Sequence, residues 1–171
     1  LGGEAVLDLK RLNRMVAIDD VDGLATVGAG MNGGQFEEAL AERGYTSGHL
    51  PQSLHMSTVG GWAACRGAGQ VSSRYGKIED IVRGMKVVLP DGQTLDVRPL
   101  ARRATGPDLL QLFVGSEGTL AHFRRLHLGG GVDAHQACDL GVSATEPQRE
   151  RAPHAAPGDD HLRRSCGQAL I

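Results

Sequence analysis

The chain lacks the features that would announce several common functions. No apolar run in its 171 residues approaches the ~20 needed to cross a bilayer, and no heptad pattern persists. A membrane span and a coiled coil are therefore excluded. Charge of one sign is missing too: 18 basic residues face 20 acidic ones, for a net charge of −2. Nothing in that balance draws the chain to nucleic acid or an anionic membrane surface, although a small anionic ligand stays compatible with it. Cysteine is scarce. Cys65, Cys138 and Cys166 are odd in number and form no CxxC pair, so neither a disulfide framework nor a zinc module is expected. With no metal site and no secretory signal at its start, the expected setting is reducing and cytoplasmic. Glycine alone is abundant. Its 25 residues are about twice the usual ~7%, without the three-residue period of collagen.

Composition divides the chain near residue 128. Residues 129–171 hold no Phe, Trp or Tyr and only six Val, Leu or Ile, and Pro147, Pro153 and Pro157 interrupt any long helix. Such a segment buries too little apolar surface to offset the ~1–2 kcal/mol per residue of backbone ordering entropy. It is expected to be a weakly ordered tail behind a domain of residues 1–128.

Within that domain the local signals alternate between strand and helix. Ala5 to Leu9 alternates apolar and polar residues, as a half-buried strand does. Met15–Ile18 and Leu24–Val27 flank the acidic, glycine-ended stretch Asp19 to Gly23, which suits a hairpin. Asn32 is placed to cap a helix with Phe36, Ala39 and Leu40 inward, Glu37, Glu38 and Glu42 outward, and Gly44 as its stop. Met85–Leu89 and Thr94–Val97 form a second hairpin around Pro90-Asp91-Gly92. Pro107 opens a helix carrying Leu109, Leu110, Leu112 and Phe113, closed by Gly115. Hairpins between neighbours mark an α+β fold rather than a run of parallel βαβ units.

One dinucleotide fingerprint is present only in part. Gly28-Ala29-Gly30-Met31-Asn32-Gly33 fits GxGxxG between a predicted strand and helix. A ribose-binding acid should follow about 20 residues on. None occurs between Glu42 and Glu79, so nicotinamide binding is not expected there.

A denser signal runs from Pro51-Gln52-Ser53-Leu54-His55-Met56-Ser57-Thr58-Val59-Gly60-Gly61-Trp62 into Ala63-Ala64-Cys65-Arg66-Gly67-Ala68-Gly69. Glycines let a backbone approach a pyrophosphate, turn N–H groups and hydroxyls donate to its oxygens, and an arginine such as Arg66 adds a two-pronged contact. A glycine-rich loop packed on a sheet, with Arg66 solvated, fits the same residues equally well.

Two further segments, Tyr75-Gly76-Lys77-Ile78-Glu79-Asp80-Ile81 and Gly106 to Leu120 with its Gly115-Ser116-Glu117-Gly118-Thr119-Leu120, favour the first reading. In order and spacing, these segments together resemble the FAD-binding domain of the vanillyl-alcohol oxidase superfamily, the PCMH-type fold. The resemblance covers about Val6 to Leu120. It is closest to the alkyldihydroxyacetonephosphate synthase branch of ether-lipid biosynthesis, through Trp62, Arg66 and Thr105-Gly106-Pro107-Asp108.

The resemblance implies a partial PCMH-type domain, mainly its second subdomain, with FAD as cofactor. It implies that Pro51, Gln52, Ser53, Ser57 and Thr58 line the flavin and its phosphates, with Gln52 standing where an Asp is usual. Gly60 and Gly61 would allow close backbone approach. Cys65, Arg66, Gly67 and Ala68 match a Thr-Arg-Ala-Ser type stretch, and Glu117, Gly118 and Thr119 a turn that closes over the cofactor. In complete relatives the chemistry occurs at flavin N5 on a small phosphorylated or hydroxylated substrate held by a separate cap, so no catalytic residue is nominated here and the chain is not expected to be active alone. A lone loop histidine such as His55 reads as structural or solvent-facing. The alternatives are a piece of an FAD-dependent 2-hydroxy-acid dehydrogenase of the glycolate or D-lactate type, and a non-catalytic protein-binding module.

The family's upstream Pro-x-Gly-Gly-Gly-Thr phosphate loop is not matched. After Leu120 a Val/Ile-rich strand is expected, whereas Ala121-His122-Phe123-Arg124-Arg125 shows no such alternation. From these two departures we expect a chain truncated in front, weak or absent FAD binding by the chain alone, open sheet edges, and an out-of-frame or unrelated tail from about residue 121.

Overall fold

A computed structural model describes residues 6–100 and 106–129, together with the backbone of 132–133. Both predicted hairpins form. In the first, β1 (Met15–Asp19) and β2 (Leu24–Gly28) pair antiparallel. The Asp19 carboxylate accepts from the N–H groups of Val21 (2.9 Å) and Asp22 (3.1 Å), and Gly23 takes the left-handed φ of +61° that closes the turn. In the second, β4 (Val82–Val88) pairs with β5 (Thr94–Val97), with Gly92 at φ +84°.

Between the hairpins lie α1 (Gly33–Ala41), β3 (Tyr45–Thr46), α2 (Val59–Cys65), α3 (Ser72–Tyr75) and α4 (Ile78–Ile81). After the second hairpin come α5 (Leu109–Phe113), β6 (His122–Gly129) and β7 (Val132–Asp133). The main sheet has the order β1-β2-β6-β4-β5 and every pairing is antiparallel; β3 and β7 form a separate two-stranded ladder. This is the expected α+β arrangement. Its core lies between the sheet and the helices: Val27, Met85, Val87, Leu126 and Leu128 from the strands meet Phe36, Leu40, Val59, Trp62, Ile78 and Phe113 from the helices.

Several expectations need correction. Residues 6–9 form no strand, and Val6 and Leu7 are exposed. Alternation makes a strand only where a neighbour completes its ladder. Here the chain instead crosses the β2 end, with the Leu12 and Leu9 carbonyls lying where a Cβ on Gly28 or Gly30 would sit. Glu37 points inward rather than outward: its carboxylate accepts from the Thr46 hydroxyl (2.8 Å), the Ser47 N–H (3.1 Å) and the Ser47 hydroxyl, clamping β3 to α1. Burial raises the Glu37 carboxyl above its ordinary value, partly offset by those donors. Pro107 stands one residue before the N-cap Asp108, whose carboxylate accepts from the Leu110 N–H at 3.0 Å.

The expected break at residue 121 is also overturned. Residues 122–129 are the central strand β6, bonded to β2 on one side and β4 on the other. A bulge opposite Lys86 and Val87 inserts one residue, so the buried positions are Phe123, Leu126 and Leu128 and a period-2 reading fails. The expected tail, apart from Gly129 and the short strand β7, lies outside the described residues.

Candidate functional site

The predicted site residues fall on α2 itself (Gly60, Gly61, Cys65), on the segments 51–58 and 66–68 flanking it, and on the turn 115–119. The loop 51–58 is tied down from below by Asn32. Its side-chain oxygen caps α1 by accepting from Gly34 N (2.9 Å) and Gln35 N (3.3 Å), and its Nδ2 donates to the His55 carbonyl at 2.8 Å. Gly33 N donates to the Ser57 carbonyl (3.0 Å). His55 itself is exposed, with its ring against Gly34, which is a structural placement.

The hydroxyls of this loop divide by role. Ser57 Oγ accepts from Trp62 Nε1 at 2.7 Å and donates to the Ser53 carbonyl at 2.8 Å. Thr58 Oγ1 caps α2 by accepting from Gly61 N at 3.2 Å. Both are engaged in holding the protein together, whereas Gln52 and Ser53 are exposed. The adjacent glycines separate in the same way. A Cβ on Gly60 would come 2.7 Å from both Cβ and O of Ala29, so the close approach that Gly60 permits is to β2's own continuation. Gly61 is exposed and would meet only Thr58 Oγ1.

At its other end α2 stops on Arg66, which adopts a left-handed φ of +54°, a conformation costing a non-glycine residue ~1 kcal/mol or more. The turn 115–119 docks here. Gly115 N donates to the Ala63 carbonyl (2.9 Å), which also accepts from Arg66 N at 3.4 Å, and Glu117 N donates to the Ala64 carbonyl (3.0 Å), so the turn helps satisfy the helix end. Glu117 and Gly118 are both left-handed (φ +51° and +80°), and Thr119 closes the turn through N–H and Oγ1 donations to the Ser116 carbonyl. Segments some 50 residues apart thus form one surface. On it Gly61, Cys65, Arg66, Ala68, Glu117 and Thr119 are exposed, while Pro51, Gly67 and Gly118 are half-buried.

Beneath this surface sits His49, which no motif in its neighbourhood marks. It is 1% exposed, packs against Trp62 with the rings tilted by 58° and their centroids 4.8 Å apart, and neither ring nitrogen has a partner. Burial pushes its pKa down to about 4 against an opposing pull from Glu79. The ring is therefore neutral near pH 7. Ser116 Oγ is likewise buried without a partner.

The partial fingerprint resolves differently. Gly28 and Gly30 are filled by the backbone of residues 9–14, Gly33 by Trp62 and Gly34 by His55. Those glycines serve chain-on-chain packing. Among the described residues no three His, Cys, Asp or Glu side chains are grouped to hold a metal ion, and no helix is long and apolar enough to cross a membrane.

The residues on the α2 surface suit FAD. Room for close backbone approach at Gly61, a hydroxyl at Ser53 and a half-exposed guanidinium at Arg66 are features a pyrophosphate and flavin call for. Fold and surface together define an α+β dinucleotide-holding domain. The FAD binding domain family matches residues 1–98, and the chain belongs to that family; FAD is its cofactor. It is 42% identical over 117 residues to the uncharacterized FAD-linked oxidoreductase YgcU of Escherichia coli (strain K12), covering 68% of this chain and 24% of that protein. It is 43% identical over 112 residues to the alkyldihydroxyacetonephosphate synthase of Trypanosoma brucei brucei, covering 66% and 18%. A solved alkyldihydroxyacetonephosphate synthase superposes with a TM-score of 0.65 at 33% identity, over 71% of this chain and 22% of that one. The chain thus spans a fifth to a quarter of the relatives it matches.

Proposed function

We propose that this chain is the FAD-holding part of a flavoenzyme of the alkyldihydroxyacetonephosphate synthase type, and that the α2 surface lines the cofactor. The observation that carries this reading is the docking of the turn 115–119 onto the Ala63 and Ala64 carbonyls, which joins the two segments most specific to the resemblance. In this arrangement Ser53, Gly61 and Arg66 face the phosphates. Gln52, Cys65, Gly67 and Ala68 supply further backbone and side-chain contacts, with Pro51 fixing the loop's entry. Glu117, an exposed acceptor, suits the hydroxyls of the cofactor rather than its phosphates. Gly118 and Thr119 shape the turn around it. Ser57, Thr58 and Gly60 act one step back, by holding the loop and α2 in place. FAD, when bound, supplies electron-pair chemistry at its N5; the protein's share is to bind and orient it. The synthase branch is favoured over a 2-hydroxy-acid dehydrogenase by Trp62, which bonds Ser57 and packs on Phe36 and His49, and by Arg66.

Thermal unfolding of the chain with FAD tests the reading, because any ligand selective for the native state raises Tm by mass action. A saturable rise with FAD up to about 5 mM, lost in Gly61→Val, is expected, since weak sites need ligand well above Kd to register. No rise at that concentration refutes binding by this surface.

A further inference from the structure

Arg66 does not stand alone on the surface. Its Nη2 donates to Oε1 of Gln111 on α5, and its Nε lies 3.7 Å from Oε1 of Glu79 on α4. Gln111 in turn donates from Nε2 to the Glu79 carbonyl at 3.3 Å. Lys77 reaches the same Glu79 oxygen at 3.2 Å. One amide side chain therefore spans the gap between α4 and the guanidinium, accepting from one and donating to the other.

We infer that Gln111 is a positioning residue that aims the Arg66 guanidinium at the phosphates of FAD; this rests on the reading of the α2 surface given above. Three points carry it. First, a free arginine stem has much rotamer freedom to lose on fixing, and Arg66 sits on the rim with 43% of its side chain exposed. Without anchors it would sample many directions, and an anion would have to order it. Second, Gln111 is neutral. It accepts from the guanidinium without cancelling its charge, whereas an acid in its place would. Arg66 and Lys77 both reach the Glu79 carboxylate, and a neutral Gln111 adds no further negative charge beside the guanidinium. Third, two of the three guanidinium nitrogens are engaged, Nε toward Glu79 and Nη2 by Gln111, which leaves Nη1 as the nitrogen for the ligand.

The test is a double-mutant cycle on the chain, reading FAD affinity from the Tm rise during titration and stability from Tm without FAD. Arg66→Ala is expected to weaken FAD binding roughly tenfold, the size of one charged hydrogen bond. Gln111→Leu is expected to weaken it by roughly threefold to tenfold in the wild-type background and by less than about twofold in the Arg66→Ala background. It should also flatten the fall of affinity with added salt, which a packing role would leave unchanged. Should Gln111→Leu not fold, Gln111→Met replaces it: the length of the side chain is kept, the acceptor for Nη2 and the donor to the Glu79 carbonyl are lost, and the same loss and flattening are expected. If Arg66→Ala leaves affinity unchanged, or the wild type binds no FAD, the reading of the surface fails and the inference falls with it. If Arg66→Ala weakens binding while Gln111→Leu does not, or if Gln111→Leu costs as much in either background, Arg66 keeps its role and the positioning by Gln111 is overturned.

Discussion

At the scale of single residues, His49 dominates the response to acid. A histidine held at about 4 when folded and near 6.5 when unfolded binds fewer protons in the folded state between those values, so stability falls as pH drops from 6.5 toward 4. The loss is on the order of 3 kcal/mol over that span. Glu37 works in the opposite sense. Its raised folded pKa means the folded state takes up a proton first, and stability from Glu37 falls as pH rises through that raised value. His127, also lowered by burial, acts in the same sense as His49, and Glu37 opposes both. Urea unfolding at pH 7 and pH 4.5 should show His49→Gln flattening the difference. Equal pH dependence in wild type and variant would show that His49 is not its source. Nothing in the sequence around Gly48-His49-Leu50 marks this burial, because it arises from Trp62, 13 residues downstream, folding back over the ring. Gln111 was equally hidden: its role depends on α5 lying beside α4, which spacing along the chain does not reveal. Arg66 and the loop residues Ser53, Ser57 and Thr58 stand out in the sequence because glycine-rich backbone beside hydroxyls and a guanidinium is a chemical pattern in its own right, but the bonds of Ser57 and Thr58 within the protein are not readable from it.

Elements were legible where their signals are local. Asn32 capping α1 and Gly23 and Gly92 closing hairpins each act within three residues of their own position, whereas the sequence reads the start of α5 at Pro107 and it lies at the N-cap Asp108. Asn32→Ala removes one acceptor that serves two N–H groups and a donor to the loop 51–58, so a loss of ~1–2 kcal/mol in urea unfolding is expected. The paired glycines at the start of α2 separate scaffold from surface. Gly60→Ala drives a methyl into Ala29, and overpacking against backbone should cost ~1–3 kcal/mol. Gly61→Ala meets one hydroxyl and should leave Tm within a degree or two, a shift of about 0.5 kcal/mol or less, while weakening the FAD-dependent rise. Equal stability losses in the two variants would contradict this division. Elements that depend on distant partners were misread. Residues 6–9 carry a strand's alternation without a described neighbour to pair with, and β6 hides its buried face behind a bulge.

For the molecule as a whole, β6 is what closes the fold. It enters the sheet last of the five strands yet lies at its centre, between β2 and β4, so both hairpins depend on it for their long-range contacts. Leu126, fully buried on it, is the position where truncation should be felt across the domain: Leu126→Ala should cost ~2–5 kcal/mol. Strands β1 and β5 are the edges of the described sheet, which are points of association unless covered. The same order explains the site. Helix α2 packs on β2 and β6, and its two ends receive the loop 51–58 and the turn 115–119. The surface proposed for FAD is thus assembled only when the central strand is in place. Backbone amide resonances of the 171-residue chain, followed by ¹⁵N NMR during FAD titration, report on that surface directly. The expected result is saturable shifts concentrated at residues 52–53, 61, 65–68 and 115–119, with residues 28–30 and the β5 edge unmoved. Shifts confined to those latter places, or none at all, would contradict the assignment of the cofactor to the α2 surface.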